Sequence, residues 1–588
     1  SLKQFHSRGN RVAATYKKDG QWVEQSWSQF YTFIEKVAGG LKALGIEKGD
    51  RIAIISNTRF EWSCIDMGCL GIGAILVPLY PSNSEADISY ILQNSEARVV
   101  FCEDHSQVEK WLSVRSQCPD VKHVVCIEKT SEKSVVSLPD FMQKGEQFTK
   151  QNPAFLTTAI EQSRLSDIAT ILYTSGTTGQ PKGVVITHEQ VLSELEDVFQ
   201  ILGLTEQDCN LAFLPHSHIL GRVEMWGHVY VGFKTGYAQS IETIRANLGE
   251  VSPTFLIAVP RIFEKIYNGV VTKAETSPLK FKIFKWAVSV GRIVSKAQLD
   301  KTPIPFVTAL QYKIAHKMVF SKLHQGLGGR IKWAISGSAP LSKEIAEFFH
   351  AAGILVLEAY GLTETTAGIT ANSPHDYDFG SVGKPIGETQ IKIADDGEIL
   401  VKSKKVMKEY YKNEQATAEA IKDGWFYTGD IGEFTPQGRL RITDRKKDLI
   451  KTAGGKYVAP QKLENLLKLN KYVSNVLVHG DQRKYVVALV TLNPDSVKAF
   501  ADEKHIPSAD IGTLAKNDSI KSLIRDAVAS ANSSLASYES IKNFAILPKD
   551  FTIEDGELTP SLKVKRKACD QRYKSVIDSL YGADKSGL

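Results

Sequence analysis

The chain has 588 residues and a mass of 65.0 kDa, 43% of them hydrophobic and 23% charged. This is the balance of a globular protein with a sizeable core, and it excludes disorder, collagen and coiled coil. Seventy-two Lys and Arg against 66 Asp and Glu leave a formal +6, too small and too dispersed an excess to make nucleic acid the main partner.

The opening stretch, SLKQFHSRGN, is polar and lacks the apolar region of a secretory signal. From Phe30 to Leu44, apolar residues at Phe30, Phe33, Val37, Leu41 and Leu44 predict an amphipathic helix. Arg51–Ile55, Ala74–Pro78 and Val99–Cys102 are short apolar runs of strand type. The uncharged stretch Met67–Tyr80 is 14 residues long and broken by glycines, so it reads as a buried helix followed by a strand, too short to span a bilayer. Strands alternating with helices predict an α/β architecture of largely parallel sheets. The seven cysteines form no CxxC pair and point to a reducing, cytoplasmic setting.

At Ile171–Gly183, ILYTSGTTGQPKG, an apolar strand enters a loop dense in hydroxyls and glycines. Gly176 and Gly179 let backbone N–H groups converge on an anion. Thr174, Ser175, Thr177 and Thr178 add hydroxyl donors, and Lys182 a positive charge. The loop is not a Walker A motif, because no Gly-Lys-[Ser/Thr] is present and a strand-like run follows Lys182. A helix is predicted only after Thr187 and Gln190, a capping box. Farther on, His216 and His218 form an HxH pair with no further ligand at metal spacing.

From Lys384 to Thr443 the texture turns to short β segments (TQIKI, GEILV, GRLRI) with turns at Asp396-Gly397, Asp423-Gly424 and Gln437-Gly438, as in a small barrel-like sheet. The charged run Asp444–Asp448 then precedes a fresh α/β segment, with a helix from Pro460 and a hairpin, Asn475–His479 and Tyr485–Leu492. The boundary is placed there, giving a large domain over 1–443 and a small one over 444–588.

The phosphate loop resembles the signature of the adenylate-forming superfamily of acyl-CoA synthetases, luciferases and adenylation domains. LPHSHILGR (Leu214–Arg222), SGSAPL (Ser336–Leu341), YGLTE (Tyr360–Glu364), YTGD (Tyr427–Asp430), ITDRKKDLIK (Ile442–Lys451) and GELTPSLKVKR (Gly556–Arg566) resemble its further motifs, in the same order. The resemblance implies a large α/β domain of layered sheets with a barrel-like subdomain, and a small mobile α+β domain. It implies ATP, Mg²⁺ and coenzyme A as partners in a two-step activation of a carboxylate through acyl-AMP.

On that resemblance, residues 174–179 and Lys182 would hold the β and γ phosphates, Thr363 would lie near the α-phosphate, and Glu364 would bind Mg²⁺. Ser338, Ala339 and Pro340, with Glu358, Ala359, Tyr360 and Gly361, would form the adenine slot. Asp430 and Arg445 would hold the ribose. Lys563 would be the catalytic lysine, with Lys565 the second choice, although Leu562 stands where the family pattern has Gly. His218 would face the substrate carboxylate, Lys447 would be the hinge, and Lys451, Gly454 and Gly455 would line the CoA channel.

VPRIFEKIY (Val259–Tyr267), an insertion-like span from Asn268 to Gly329 and the ending GELTPSLKVKRK resemble the long-chain fatty acyl-CoA synthetases. The alternative is a fatty acyl-AMP ligase that loads a carrier-protein thiol. A tunnel-gating tryptophan of some relatives has no counterpart at Trp226. The basic amphipathic stretch Pro278–Lys296 suits either contact with an anionic membrane or packing on its own domain. Chain-length preference and oligomeric state are left open.

Overall fold

The computed structural model describes residues 5, 7–174, 180–507, 510–559 and 562–582. The predicted strands Arg51–Ile55 and Val99–Cys102 form as expected, and Ile75–Leu79 forms one residue late. They lie side by side in parallel in an eight-stranded sheet whose order runs Glu409–Tyr410, Lys182–Thr187, Ile168–Thr174, Ile75–Leu79, Arg51–Ile55, Val99–Cys102, His123–Cys126, Val136–Ser137. These strands are buried on both faces, which is why they read as unbroken apolar runs. The sheet departs from parallel at the phosphate-loop hairpin, where Ile168–Thr174 and Lys182–Thr187 pair antiparallel with Thr174 opposite Lys182.

The helix expected from Phe30 begins earlier and spans Trp27–Ala43, because Ser26 and Gln29 cap its start reciprocally. The helix after the phosphate loop is His188–Leu202, with Gln190 Oε1 accepting from Thr187 N at 2.6 Å as the capping box predicts.

A second sheet aligns Phe255–Ala258, Trp333–Ser336 and Leu355–Leu362 in parallel, then adds Ala367–Ala371 and Lys384–Pro385 antiparallel. Its edge turns the chain through the Thr-Glu motif. The insertion-like span folds as helices Pro260–Glu275, Pro278–Leu299 and Phe306–Ala315, continuing through a π turn at His316–Phe320 to Ser321–Gly326. Helix Pro278–Leu299 buries Phe284, Ala287, Val290 and Val294, so its apolar stripe packs within its own domain. At Gly291 the backbone carbonyl of Ala351 lies where a side chain would begin, so that helix and Lys343–Ala351 touch directly.

The β-rich region forms a five-stranded antiparallel sheet, with turns at Gly397, Gly424 and Gly438 in the left-handed region that favours glycine. Its last strand, Leu440–Arg445, sets Arg445 opposite Asp430. The chain then enters a three-stranded sheet of Val473–His479, Val486–Leu492 and Ile541–Ile546, covered by helices including Pro460–Lys468 and Asp518–Asn532 around a core of its own. Contacts back to the large domain include polar ones, Arg261 donating to Ser474 O at 2.7 Å and to Ser474 Oγ at 2.6 Å and Lys471 pairing with Glu275, and apolar ones at Leu469 and Leu562. Among the described residues no helix is long and apolar enough to cross a membrane.

Candidate active site

The site lies where the edge of the second sheet, the barrel-like sheet and a loop of the small domain meet. Asp430 sits within strand Trp425–Phe434 and is 5% exposed. Its two carboxylate oxygens are separately engaged, Oδ2 by the Tyr360 hydroxyl at 2.7 Å and Oδ1 by Arg445 Nε at 3.1 Å. Burial, and then the charge of Asp430, push the Tyr360 phenol upward, so it stays a donor. Asp430, Tyr360 and Arg445, each from a different strand, thus form one hydrogen-bonded group.

The Thr-Glu motif lies in a single 3₁₀ turn, Thr363–Thr365, after strand Leu355–Leu362. Gly361 is required just before it, because a Cβ there would lie 1.3 Å from the Ala367 carbonyl oxygen. Glu364 Oε1 accepts from the Tyr410 hydroxyl at 2.8 Å, and its backbone carbonyl accepts from Met407 N at 2.7 Å. The Lys182 ammonium lies 4.9 Å from the centre of the Tyr410 ring. Tyr410 therefore bridges the phosphate-loop hairpin and Glu364, and no local motif in the sequence announces it. Ser175, Gly176, Thr177, Thr178 and Gly179 lie outside the described residues, and Thr174 and Lys182 flank them at paired positions.

A buried cation braces the same turn from behind. Lys405, 1% exposed, lies 3.3 Å from Glu194 Oε2 and 3.1 Å from Asp197 Oδ2, and donates to Gly368 O at 2.7 Å. Its backbone carbonyl accepts from Thr366 Oγ1, two residues after Glu364. Burial pushes Glu194 up to about 7, against the pull of Lys405. A lysine in a run of lysines reads as solvated, which hid this one.

The segment Ser338–Pro340 turns sharply, with Ser338 in the left-handed region at φ 69°. Glu358 is buried, and its carboxylate accepts from Leu341 N at 3.1 Å, so it braces this loop from beneath. Ala359 and Tyr360 continue the strand beyond it, toward Gly361.

His218 caps helix Ile219–Val231, its Nδ1 accepting from Leu220 N at 3.2 Å. A neutral ring then carries its proton on Nε2. Burial, and then the positive charge of Lys563, push this histidine down to about 3, so it is neutral at any physiological pH. His218 lines an apolar cavity with Phe213, Leu220, Ile262, Ser338 and Leu562. His216 is fully packed against Trp62 and is also held neutral by burial. No cluster of three potential metal ligands occurs among the described residues. Trp226 is buried and donates to Asp66 Oδ2 at 2.7 Å beside the Arg222–Asp66 pair, which makes it part of the core.

Lys563 comes from the small domain, on a tight loop in which Thr559 N donates to Lys563 O at 2.8 Å and Lys563 N to Thr559 Oγ1 at 3.0 Å. The surrounding protein, then the charge of Arg445, lower its ammonium to about 8, while Asp430 opposes the shift. The side chain itself remains open to water in the cleft, which moderates the desolvation part of that shift. Leu562, where the family pattern has Gly, occupies the left-handed region at φ 61°. Lys565 N donates to Glu557 O and its side chain is outside this group. Lys447 lies exposed in the turn after Arg445. Lys451, Gly454 and Gly455 form an exposed hairpin tip of the small domain and make no hydrogen bond or ion pair with the Asp430 group.

Comparison with known proteins gives the family. A family model described as AMP-binding enzyme matches residues 2–411, and one described as AMP-binding enzyme C-terminal domain matches residues 447–585. The chain belongs to the AMP-binding, adenylate-forming enzyme family. It is 35% identical to the long-chain-fatty-acid–CoA ligase FadD15 of Mycobacterium bovis, over 98% of this chain and 96% of that protein. It is 33% identical to long-chain-fatty-acid–CoA ligase 5 of Mus musculus, over 90% of this chain and 80% of that one. In fold it is similar to the anthranilate CoA ligase AuaEII solved with anthranoyl-AMP, with a TM-score of 0.75, 20% identity and coverage of 98% and 96%. A Mycobacterium tuberculosis fatty acyl CoA synthetase is similar with a TM-score of 0.61, 21% identity and coverage of 98% of both chains.

Proposed function

We propose that this protein is a long-chain fatty acid–CoA ligase that activates its substrate through acyl-AMP. The observation that carries the reading is that Lys563 sits within electrostatic reach of the Asp430–Arg445 pair and of His218, and that His218 lines an apolar cavity. The full-length likeness to curated long-chain ligases supports the substrate class.

In the first half-reaction a carboxylate oxygen attacks the α-phosphorus of ATP, the bond to the β-phosphate oxygen breaks, and pyrophosphate leaves. Negative charge grows on the phosphoryl oxygens, and Lys563, held at the cleft by its loop, meets it with a positive one. Neutral His218 offers Nε2–H to the acyl carboxylate without competing for the cation's role. Asp430 accepts from the ribose hydroxyls while Tyr360 and Arg445 fix its oxygens. The adenine lies against Ser338–Pro340 and Ala359–Gly361, Thr363 lies near the α-phosphate, and Thr174 to Gly179 with Lys182 hold the outer phosphates. Glu364 fits Mg²⁺ as a single carboxylate oriented by Tyr410, which with phosphate oxygens makes a hard donor set. The ion would supply charge neutralisation on those oxygens.

In the second half-reaction a thiol displaces AMP. The small domain, residues 444–588, rotates about Lys447, withdrawing Lys563 and bringing Lys451, Gly454 and Gly455 to line the pantetheine path. The polar contacts between domains support such exchange, since hydrogen bonds are remade more readily than an apolar core.

Pyrophosphate release with ATP and Mg²⁺ is measured on acetate, octanoate, palmitate and an amino acid. Release on palmitate is expected to exceed that on acetate or the amino acid; release on none of them overturns the reading.

A further inference from the structure

The insertion carries an apolar ridge that no described residue covers. Helix Phe306–Ala315 exposes Phe306 at 84%, Val307 at 64% and Leu310 at 52%, with Ile314 and Met318 continuing the ridge. On a helical period the first four fall on one face, while Ala315 on the opposite side is buried. Eight of the fifteen large apolar residues exposed among the described residues lie between Leu279 and Met318. Such clustering marks an interaction surface rather than ordinary scatter.

The charge around the ridge says what it meets. Between residues 276 and 343 stand twelve Lys or Arg and a single acid, Asp300, so the remaining chain carries a formal −5. The positive excess is therefore concentrated, contrary to the dispersal expected from the whole-chain count. All twelve cations are exposed, three of them paired with acids (Lys296 with Asp300, Lys332 with Asp208, Lys343 with Glu347), and Lys313 falls within the same helical arc as Phe306 and Leu310. A second copy on this face would bring two such positive surfaces together.

We infer that the ridge of helix Phe306–Ala315 is a docking surface for an anionic lipid bilayer, its apolar side chains entering the interface while Lys313 and Lys317 meet the headgroups. The neighbouring helix Pro278–Leu299, suited to that contact by sequence, keeps its apolar stripe buried and contributes only its outward cations. An apolar ridge among cations is the pattern of interfacial helices, each cation strengthening partition about fivefold. The inference rests on the fatty-acid reading for its purpose, since the substrate dissolves in such a surface, but the binding stands or falls independently.

The test is co-sedimentation of the full chain with vesicles of phosphatidylglycerol and phosphatidylcholine, against phosphatidylcholine alone. The unchanged protein is expected to bind the anionic vesicles and to be released as salt rises from about 0.1 M to about 1 M, where screening shortens to ~3 Å. K313E/K317E is expected to weaken binding about twentyfold or more, and F306S/L310S about tenfold or more. Both should retain turnover on octanoate, a water-soluble acid, which verifies folding. No binding of the unchanged protein, or equal binding by both folded variants, overturns the inference. So does a protein dimer in ultracentrifugation that F306S/L310S dissociates. Vesicle binding without activity on any acid would sink the ligase reading and leave the surface standing.

Discussion

At the scale of residues, adenylation is proposed to depend on Lys563. Lys563→Ala is expected to slow pyrophosphate release by about 10²–10³-fold, while conversion of supplied acyl-AMP to thioester is retained; equal loss in both half-reactions would contradict the role. Because its ammonium is lowered to about 8, the adenylation rate should decline with rising pH earlier than an ordinary lysine would allow. Leu562 holds a left-handed backbone that costs roughly 1–2 kcal/mol outside glycine, and its side chain lines the apolar cavity beside His218. Leu562→Gly is therefore expected to relieve strain yet raise KM for the fatty acid, in a comparison of palmitate kinetics; an unchanged KM would show that the side chain does not shape the cavity. Glu224, buried with only Asn210 donating at 2.8 Å, is pushed up to about 8 by burial. The folded state then binds a proton that the unfolded state releases near pH 4, so this group costs stability as pH rises from there to about 8. Glu224→Gln should match the unchanged protein near pH 4 and exceed it by on the order of 3 kcal/mol above pH 8, as read by urea unfolding.

At the scale of elements, the strands of the main sheet and the helix after the phosphate loop were legible, because apolar runs and the Thr187–Gln190 box are local signals. Hydrophobic spacing alone starts helix Trp27–Ala43 at Phe30, whereas the reciprocal Ser26–Gln29 cap sets its start three residues earlier. Tyr410 and Lys405 were illegible for a different reason. Their roles depend on neighbours 46 and 211 positions away, Glu364 and Glu194, which only the folded sheet brings near. Lys405 ties helix His188–Leu202 to the turn that carries Glu364. Lys405→Met leaves Glu194 buried without its partner, and is expected to cost about 3–5 kcal/mol and to raise KM for MgATP. The double change Lys405→Met with Glu194→Leu should recover most of the stability; failure to recover any would locate the loss elsewhere.

At the scale of the whole molecule, two domains with separate cores meet across a few polar and apolar contacts, and the small one brings Leu562 to the cavity of the large one and Lys563 beside Asp430 and Arg445. The six ordered motifs made that two-part organisation readable, whereas the charged apolar ridge stayed hidden because whole-chain totals average it away. The central claim is that the acyl group passes from AMP to coenzyme A. The most direct test is mass spectrometry of the products from palmitate, ATP, Mg²⁺ and CoA over many turnovers. The account predicts palmitoyl-CoA and AMP in equal amounts, rising together with time. A single enzyme equivalent of palmitoyl-AMP, unmoved by CoA and discharged only by a carrier-protein thiol, would contradict it.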